Sequence, residues 1–103
     1  MTARGEIWLA EAGGKRRPVV VLTRNEVIDV RDLVAVAEVT TTIRGLAAEV
    51  AIDHVAVGLD HACVINCDGL HTIARRNLTT RVGTLGDEAM DQVCAAVHYA
   101  LGC

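Results

Sequence analysis

Apolar residues fall in short runs along the first four fifths of the chain, and each run ends in a polar or glycine-containing stretch. Glu6-Ile7-Trp8-Leu9 reads as a first strand. Glu11 to Arg16 is a turn, with Gly13-Gly14 supplying the permissive backbone. Pro18-Val19-Val20-Val21-Leu22 is a continuous apolar run suited to a buried strand, with its proline at the first position, where a missing donor costs least. Arg24 to Asp32 is polar and predicts a loop. Leu33 to Val39 predicts a third strand that ends and turns over Thr40 to Gly45. Glu49–Ile52, Cys63–Cys67, His71–Ile73 and Arg81–Leu85 predict four more short strands, with a loop over Asp53 to His61 and one helical turn near Arg75 to Leu78. The pattern then changes. Met90, Val93, Cys94, Val97 and Leu101 share one helical face from Asp87 onward. Asp87, Glu88 and Asp91 sit where the helix dipole favours anions, and Gly102 is a natural stop. Many short strands closed by one helix predict a mainly β fold, a small bent barrel with an appended C-terminal helix.

Composition adjusts this picture in three ways. The chain has 103 residues, enough for a single domain spanning 1–103, and 51% of them are hydrophobic. A core can form without metal or disulfide staples, although a chain this small gains from an oligomer interface. Phe is absent, and Trp8 and Tyr99 are the only aromatic rings besides histidine, so Val, Ala, Leu and Ile must fill the core. No aromatic stacking platform for single-stranded bases is available. No apolar run is long enough to span a membrane, and the first residues carry no apolar signal segment, which makes the cytoplasm the expected compartment. Cys63, Cys67, Cys94 and Cys103 match neither a C-x-x-C pair nor a zinc ribbon, and with the histidines they form no cluster at metal-ligand spacing. They read as free, mostly buried thiols.

The formal net charge of −3 argues against a general polyanion binder, but it is unevenly spread. Residues 1–44 carry seven basic and six acidic side chains; residues 45–103 carry three and seven. Lys15-Arg16-Arg17 is the densest basic run and can form a local cationic face.

Four segments, in order, resemble the MazF/PemK toxins. They are Arg4-Gly5-Glu6-Ile7-Trp8, Arg17-Pro18-Val19-Val20-Val21-Leu22, Val39-Thr40-Thr41-Thr42, and Val82-Gly83 through Leu85 with the helix from Asp87. The resemblance implies an SH3-like barrel of the PemK/CcdB type and a homodimer. It implies a toxin of a type II toxin–antitoxin system, blocked by a MazE-like antitoxin. It also implies an endoribonuclease that cuts single-stranded RNA (messenger RNA, or transfer or ribosomal RNA) at short sequences, with no metal or cofactor. The loop between the first two strands departs from many relatives: about seven residues separate Leu9 from Arg17, too few for the flexible gate found there.

Cutting RNA without metal uses its own 2′-hydroxyl as nucleophile, leaving 2′,3′-cyclic phosphate and 5′-hydroxyl ends. The protein must remove a proton, stabilise negative charge and protonate the leaving oxygen. By resemblance Arg17 is the catalytic arginine. Guanidinium is a fork of donors for phosphate oxygens and is effectively never deprotonated, so charge stabilisation or leaving-group assistance suits it better than base duty. Thr40 matches the catalytic threonine. Thr41 is its close alternative, because one residue of slip exchanges which side chain faces the site. Lys15, Arg16 and Arg44 are candidate phosphate contacts. Asp68 aligns with a carboxylate near the RNA groove, and a turn aspartate before Gly69 explains it equally well. Of the four histidines, His71 aligns nearest the groove. Two rival readings remain open: a CcdB-like gyrase-binding toxin, which acts through a C-terminal tryptophan that this chain lacks, and an inactive partner-binding barrel.

Overall fold

The computed structural model describes residues 2–103. Its strands are β1 (Glu6–Ala12), β2 (Lys15–Val21), β3 (Leu33–Thr40), β4 (Glu49–Ala51), β5 (Val64–Ala74) and β6 (Leu78–Thr84). A short helix, α1 (Asn25–Ile28), lies in the segment expected to be loop, and α2 (Asp87–Leu101) ends the chain. One antiparallel sheet runs in the order β4-β5-β3-β2-β1-β6. Each face carries a core. Ile7, Val20, Ala37, Ile65 and Cys67 pack with Val93 and Ala96 of α2 on one side. Ala10, Val19, Val21, Val34 and Val36 pack with Ile28 of α1 on the other. Strand alternation explains the division: Ile7 and Val20 oppose each other, as do Trp8 and Val19. No helix of the described residues is long and apolar enough to cross a membrane.

Several elements differ from the sequence expectation. β1 and β2 continue to a two-residue turn, with Ala12 paired to Lys15 and both Gly13 and Gly14 at positive φ. That geometry needs a left-handed backbone twice, which a Gly-Gly pair supplies. Pro18 is therefore inside its strand rather than at its start. The two runs Cys63–Cys67 and His71–Ile73 are one strand, β5, interrupted by a bulge. Ala37 pairs with Leu70 but Glu38 with Asn66, so Cys67, Asp68 and Gly69 loop out between them. The expected helical turn is present over Arg75–Asn77.

The helix α2 begins at Asp87 as expected and is capped by Gly102 in the left-handed region. Its inward face is rotated. Val93 and Ala96 are buried with Ala89, Met90, Val97 and Ala100 packed beside them, while Cys94 and Leu101 are exposed. Three of these inward residues, Ala89, Ala96 and Ala100, are small enough to allow a close approach of helix to sheet. Two of the four cysteines, Cys63 and Cys67, are buried; Cys94 and Cys103 are exposed, and all are free.

The sheet curls until its two edges nearly meet. The segment after β4 crosses to β6, where a Cβ on Gly83 would lie 2.2 Å from the Val57 carbonyl oxygen. At the same junction a Cβ on Gly58 would lie 2.9 Å from the Val82 carbonyl oxygen. Nothing larger than hydrogen fits at Gly83 unless the backbones separate. Gly83→Ala is expected to destabilise the fold by about 1–3 kcal/mol, read as a lower urea midpoint at unchanged slope.

Glu6 is the one buried charged residue among those described. Its carboxylate accepts from the Ala3 N–H at 2.7 Å, the Trp8 indole N–H at 3.1 Å and Arg81 at 3.1 Å. Burial alone raises its pKa, but the bonds from Ala3, Trp8 and Arg81 outweigh burial, and the net shift is downward from 4.5. A lowered folded value means the carboxylate stabilises fully above its unfolded pKa, and this contribution is lost as pH falls through the folded value. Glu6→Gln should cost about 1–3 kcal/mol near neutral pH. The difference from wild type should shrink in denaturation curves taken progressively below pH 4.5.

Candidate active site

Backbone chemistry at one residue shapes the site. The Leu22 N–H donates to the Ala35 carbonyl of β3 at 2.9 Å, whereas the Val21 carbonyl turns the other way and accepts from Gly5. Alternate residues therefore turn their backbone groups toward β3: Leu22, just past β2, then Val20 and Pro18. Pro18 has no N–H to give. The β2–β3 ladder stops one residue short of it, at Val19↔Glu38. Beyond that point the first half of β2 and the end of β3 separate. The register, projected two residues further, sets Arg17 across from Thr40.

The gap is an open cleft of about 400 Å³. Lys15, Arg16 and Arg17 line one side, Thr40 and Thr41 the other, and Asp60 and His61 from the β4–β5 segment close it. Five of the residues singled out from sequence thus share one cleft. Asp68 and Arg44 do not line it. Asp68 is exposed on the β5 bulge, its N–H donating to Asn66 Oδ1 at 3.1 Å. Arg44 is exposed in the β3–β4 connection, where its N–H and those of Gly45 and Leu46 surround the Glu49 carboxylate.

Arg17 is largely sequestered. Its Nη1 donates to Glu38 Oε1, and its Nε is buried without a hydrogen-bond partner among the described residues. The second Glu38 oxygen, Oε2, lies 2.5 Å from His71 Nε2. An ionised carboxylate only accepts, so His71 Nε2 carries the proton. The Thr40 Oγ1 accepts from the Thr42 N–H at 3.1 Å, which orients the hydroxyl and leaves its own hydrogen able to donate. Thr41 is exposed and makes the rim. Cys63, also at the cleft, has a thiol pushed up by burial, so it is a neutral thiol and a poor nucleophile near pH 7. Burial, with Asp68 and Cys94 adding to it, raises Cys67 to about 11.

Sequence reasoning missed Glu38 and the cleft positions of Asp60 and His61. Glu38 did leave a signal. It is the only charged residue in Leu33–Val39, and it follows Val34 and Val36 at the strand period on a core-facing side. An acid at such a position needs partners. Asp60 and His61 left none, because an irregular segment brings them in.

The arrangement can hold a phosphodiester. Lys15, Arg16 and Arg17 bring three cations to the cleft, the projected register sets Arg17 opposite Thr40, and His61 and Asp60 add an imidazole and a carboxylate.

The chain resembles known proteins along nearly its whole length. The family model described as PemK-like, MazF-like toxin of type II toxin-antitoxin system matches residues 3–101. The chain is 39% identical over 106 residues to the probable endoribonuclease MazF5 of Mycobacterium tuberculosis, covering 100% of this chain and 95% of the relative. It is 36% identical over 100 residues to the probable endoribonuclease MazF2 of the same species, covering 97% and 98%. The solved Mycobacterium tuberculosis toxin MazF-mt6 superposes with a TM-score of 0.87 at 36% identity, over 94% of this chain and 96% of that one. The chain therefore belongs to the PemK-like, MazF-like toxin family of type II toxin–antitoxin systems.

Proposed function

We propose that residues 1–103 act as one toxin domain, a metal-independent endoribonuclease that cuts single-stranded RNA in the cleft between β2 and β3. The observation that carries this reading is that the missing ladder donor at Pro18 opens the sheet between Arg17 and Thr40. In the reaction, the 2′-oxygen bonds to phosphorus and the bond to the 5′-oxygen breaks. The products are a 2′,3′-cyclic phosphate and a 5′-hydroxyl. Arg17 stays protonated and stabilises charge on the phosphate oxygens. Thr40 donates its hydroxyl hydrogen to a non-bridging oxygen, and Thr41 supports it at the rim. Asp60 and His61 are the groups lining the cleft that can exchange protons with the sugar hydroxyl and the leaving oxygen.

Lys15 and Arg16 hold flanking phosphates, and Arg44 and Asp68, outside the cleft, extend the strand's path. The enzyme works in the cytoplasm as a homodimer, and a MazE-like antitoxin holds it inactive. One solved relative is an endoribonuclease in complex with its cognate antitoxin from a mycobacterial species. At 22% identity it shares the fold, with a TM-score of 0.87, which supports a surface able to accept such a partner.

Two measurements test this function. A long single-stranded RNA incubated in EDTA should yield discrete fragments with 5′-hydroxyl ends. Arg17→Ala should cut about 100-fold more slowly or worse, and Thr40→Val about 10- to 100-fold more slowly, with folding retained by circular dichroism. Intact RNA with wild type, or equal cutting by Arg17→Ala, would refute the reading. For the phosphate contacts, binding to an uncleavable strand with 2′-deoxy sugars should weaken in Lys15→Ala and Arg16→Ala. Each should reduce the slope of log affinity against log salt by about 0.7, without changing where the RNA is cut.

A further inference from the structure

The polar chain running away from the cleft has no place in the reaction just described. Glu38 bridges Arg17 and His71 on the sheet face opposite α2. Its side chain is only 16% exposed, and the two partners are 20% and 24% exposed. An acid facing inward beside Val34 and Val36 is costly to desolvate unless both its oxygens are used, and here both are.

The surroundings are fitted to this carboxylate. The β5 bulge lies directly beside Glu38 and contains Gly69, where a Cβ would come within 2.8 Å of Glu38 Cδ and 3.0 Å of Asn66 Nδ2. At the tip of the β1–β2 hairpin, a Cβ on Gly13 would come within 3.0 Å of His71 Cε1. Two glycines, from two elements far apart in sequence, thus close over the acid and the imidazole. The short hairpin is what brings Gly13 there, so the turn that lacks a gate acts instead as a lid on this network.

We propose that Glu38 and His71 are positioning residues for Arg17: His71 Nε2–H fixes the carboxylate, and the carboxylate fixes the guanidinium at the mouth of the cleft. Arg17 has four rotatable side-chain bonds and one firm partner. Without that partner the fork samples orientations that do not face Thr40, and each reaction must wait for the productive one. His71 acts here as a hydrogen-bond donor, not as the acid or base of the reaction, because its proton-bearing nitrogen is committed to Glu38. This inference rests on the assignment of Arg17 to the reaction and adds to it the means by which Arg17 is held.

The test is steady-state RNA cleavage by the full chain, with Arg17→Ala as reference. Glu38→Gln keeps the shape but removes the charge. It should lower kcat about 10- to 100-fold while KM moves by less than about threefold, since positioning is realised in the transition state. His71→Leu should lower kcat about 10-fold, and His71→Gln, which restores an N–H donor of similar reach, should recover most of that loss. A purely structural role would lower the urea midpoint and leave kcat per folded molecule unchanged. If Arg17→Ala is inactive but Glu38→Gln retains or exceeds wild-type kcat, the positioning inference fails alone. If Glu38→Gln does not fold, the two His71 variants decide. Equal loss in His71→Leu and His71→Gln would make His71 a proton-transfer group and overturn the donor role. If Arg17→Ala cuts as well as wild type, the proposed function itself fails.

Discussion

Only three residue pairs join β2 to β3, and the donor that Pro18 lacks ends their ladder where the cleft begins. A sheet closes by repeating one donor and one acceptor every second residue. Proline interrupts that repetition covalently, not by competing for a conformation. The same strand remains fully paired to β1 on its other side, from Ile7↔Val20 to Ala12↔Lys15, so the opening does not unravel it. The cleft thus has one wall of fully paired strand and a second at the end of β3, and the segment after β4 closes it with Asp60 and His61. In the proposed reaction, paired strand carries the arginine and a loop carries the groups that would move protons. That division suits a reaction in which charge must be met by fixed donors and protons must be exchanged with solvent.

The two faces of the sheet do different work. The face against α2 is an apolar core of ordinary kind, sealed at the sheet edges by the close approach of Val57 to Gly83. The face against α1 begins as an apolar core at Val19, Val21 and Val34 and turns polar toward Glu38, His71 and Arg17. One strand, β3, makes that transition within a few residues by replacing valine with glutamate at the same period. The bulge in β5 is the local adjustment that makes room for it, and it also explains why the strand continues through Asp68-Gly69, a pair that looks like a turn.

Much of this was legible from the sequence, and the exceptions have physical causes. The strand periods, the helix start at Asp87 and its stop at Gly102 follow from local chemistry, and local chemistry decided them. The rotated face of α2 was not legible, because Ala89, Ala96 and Ala100 are apolar but small, and their value lies in how near they let the helix approach. The short helix α1 was missed because Asn25–Ile28 is a single turn with one buried side chain, Ile28. Lys15, Arg16, Arg17, Thr40 and Thr41 were placed together by motif order, and the fold does bring them to one cleft. Glu38 was passed over as part of a strand, although an acid at a core-facing period was the strongest local inconsistency in the chain.

Pro18 has one more consequence. A binding groove that opens by breaking hydrogen bonds is populated only in part, and a ligand's apparent affinity falls by that fraction. Here the ladder ends because Pro18 has a carbonyl to accept with but no N–H to extend the pairing. The end of the pairing is thus written into the covalent chain at Pro18. A partner that restrains such an enzyme by occupying or covering the groove would need no rearrangement of the strands that line it.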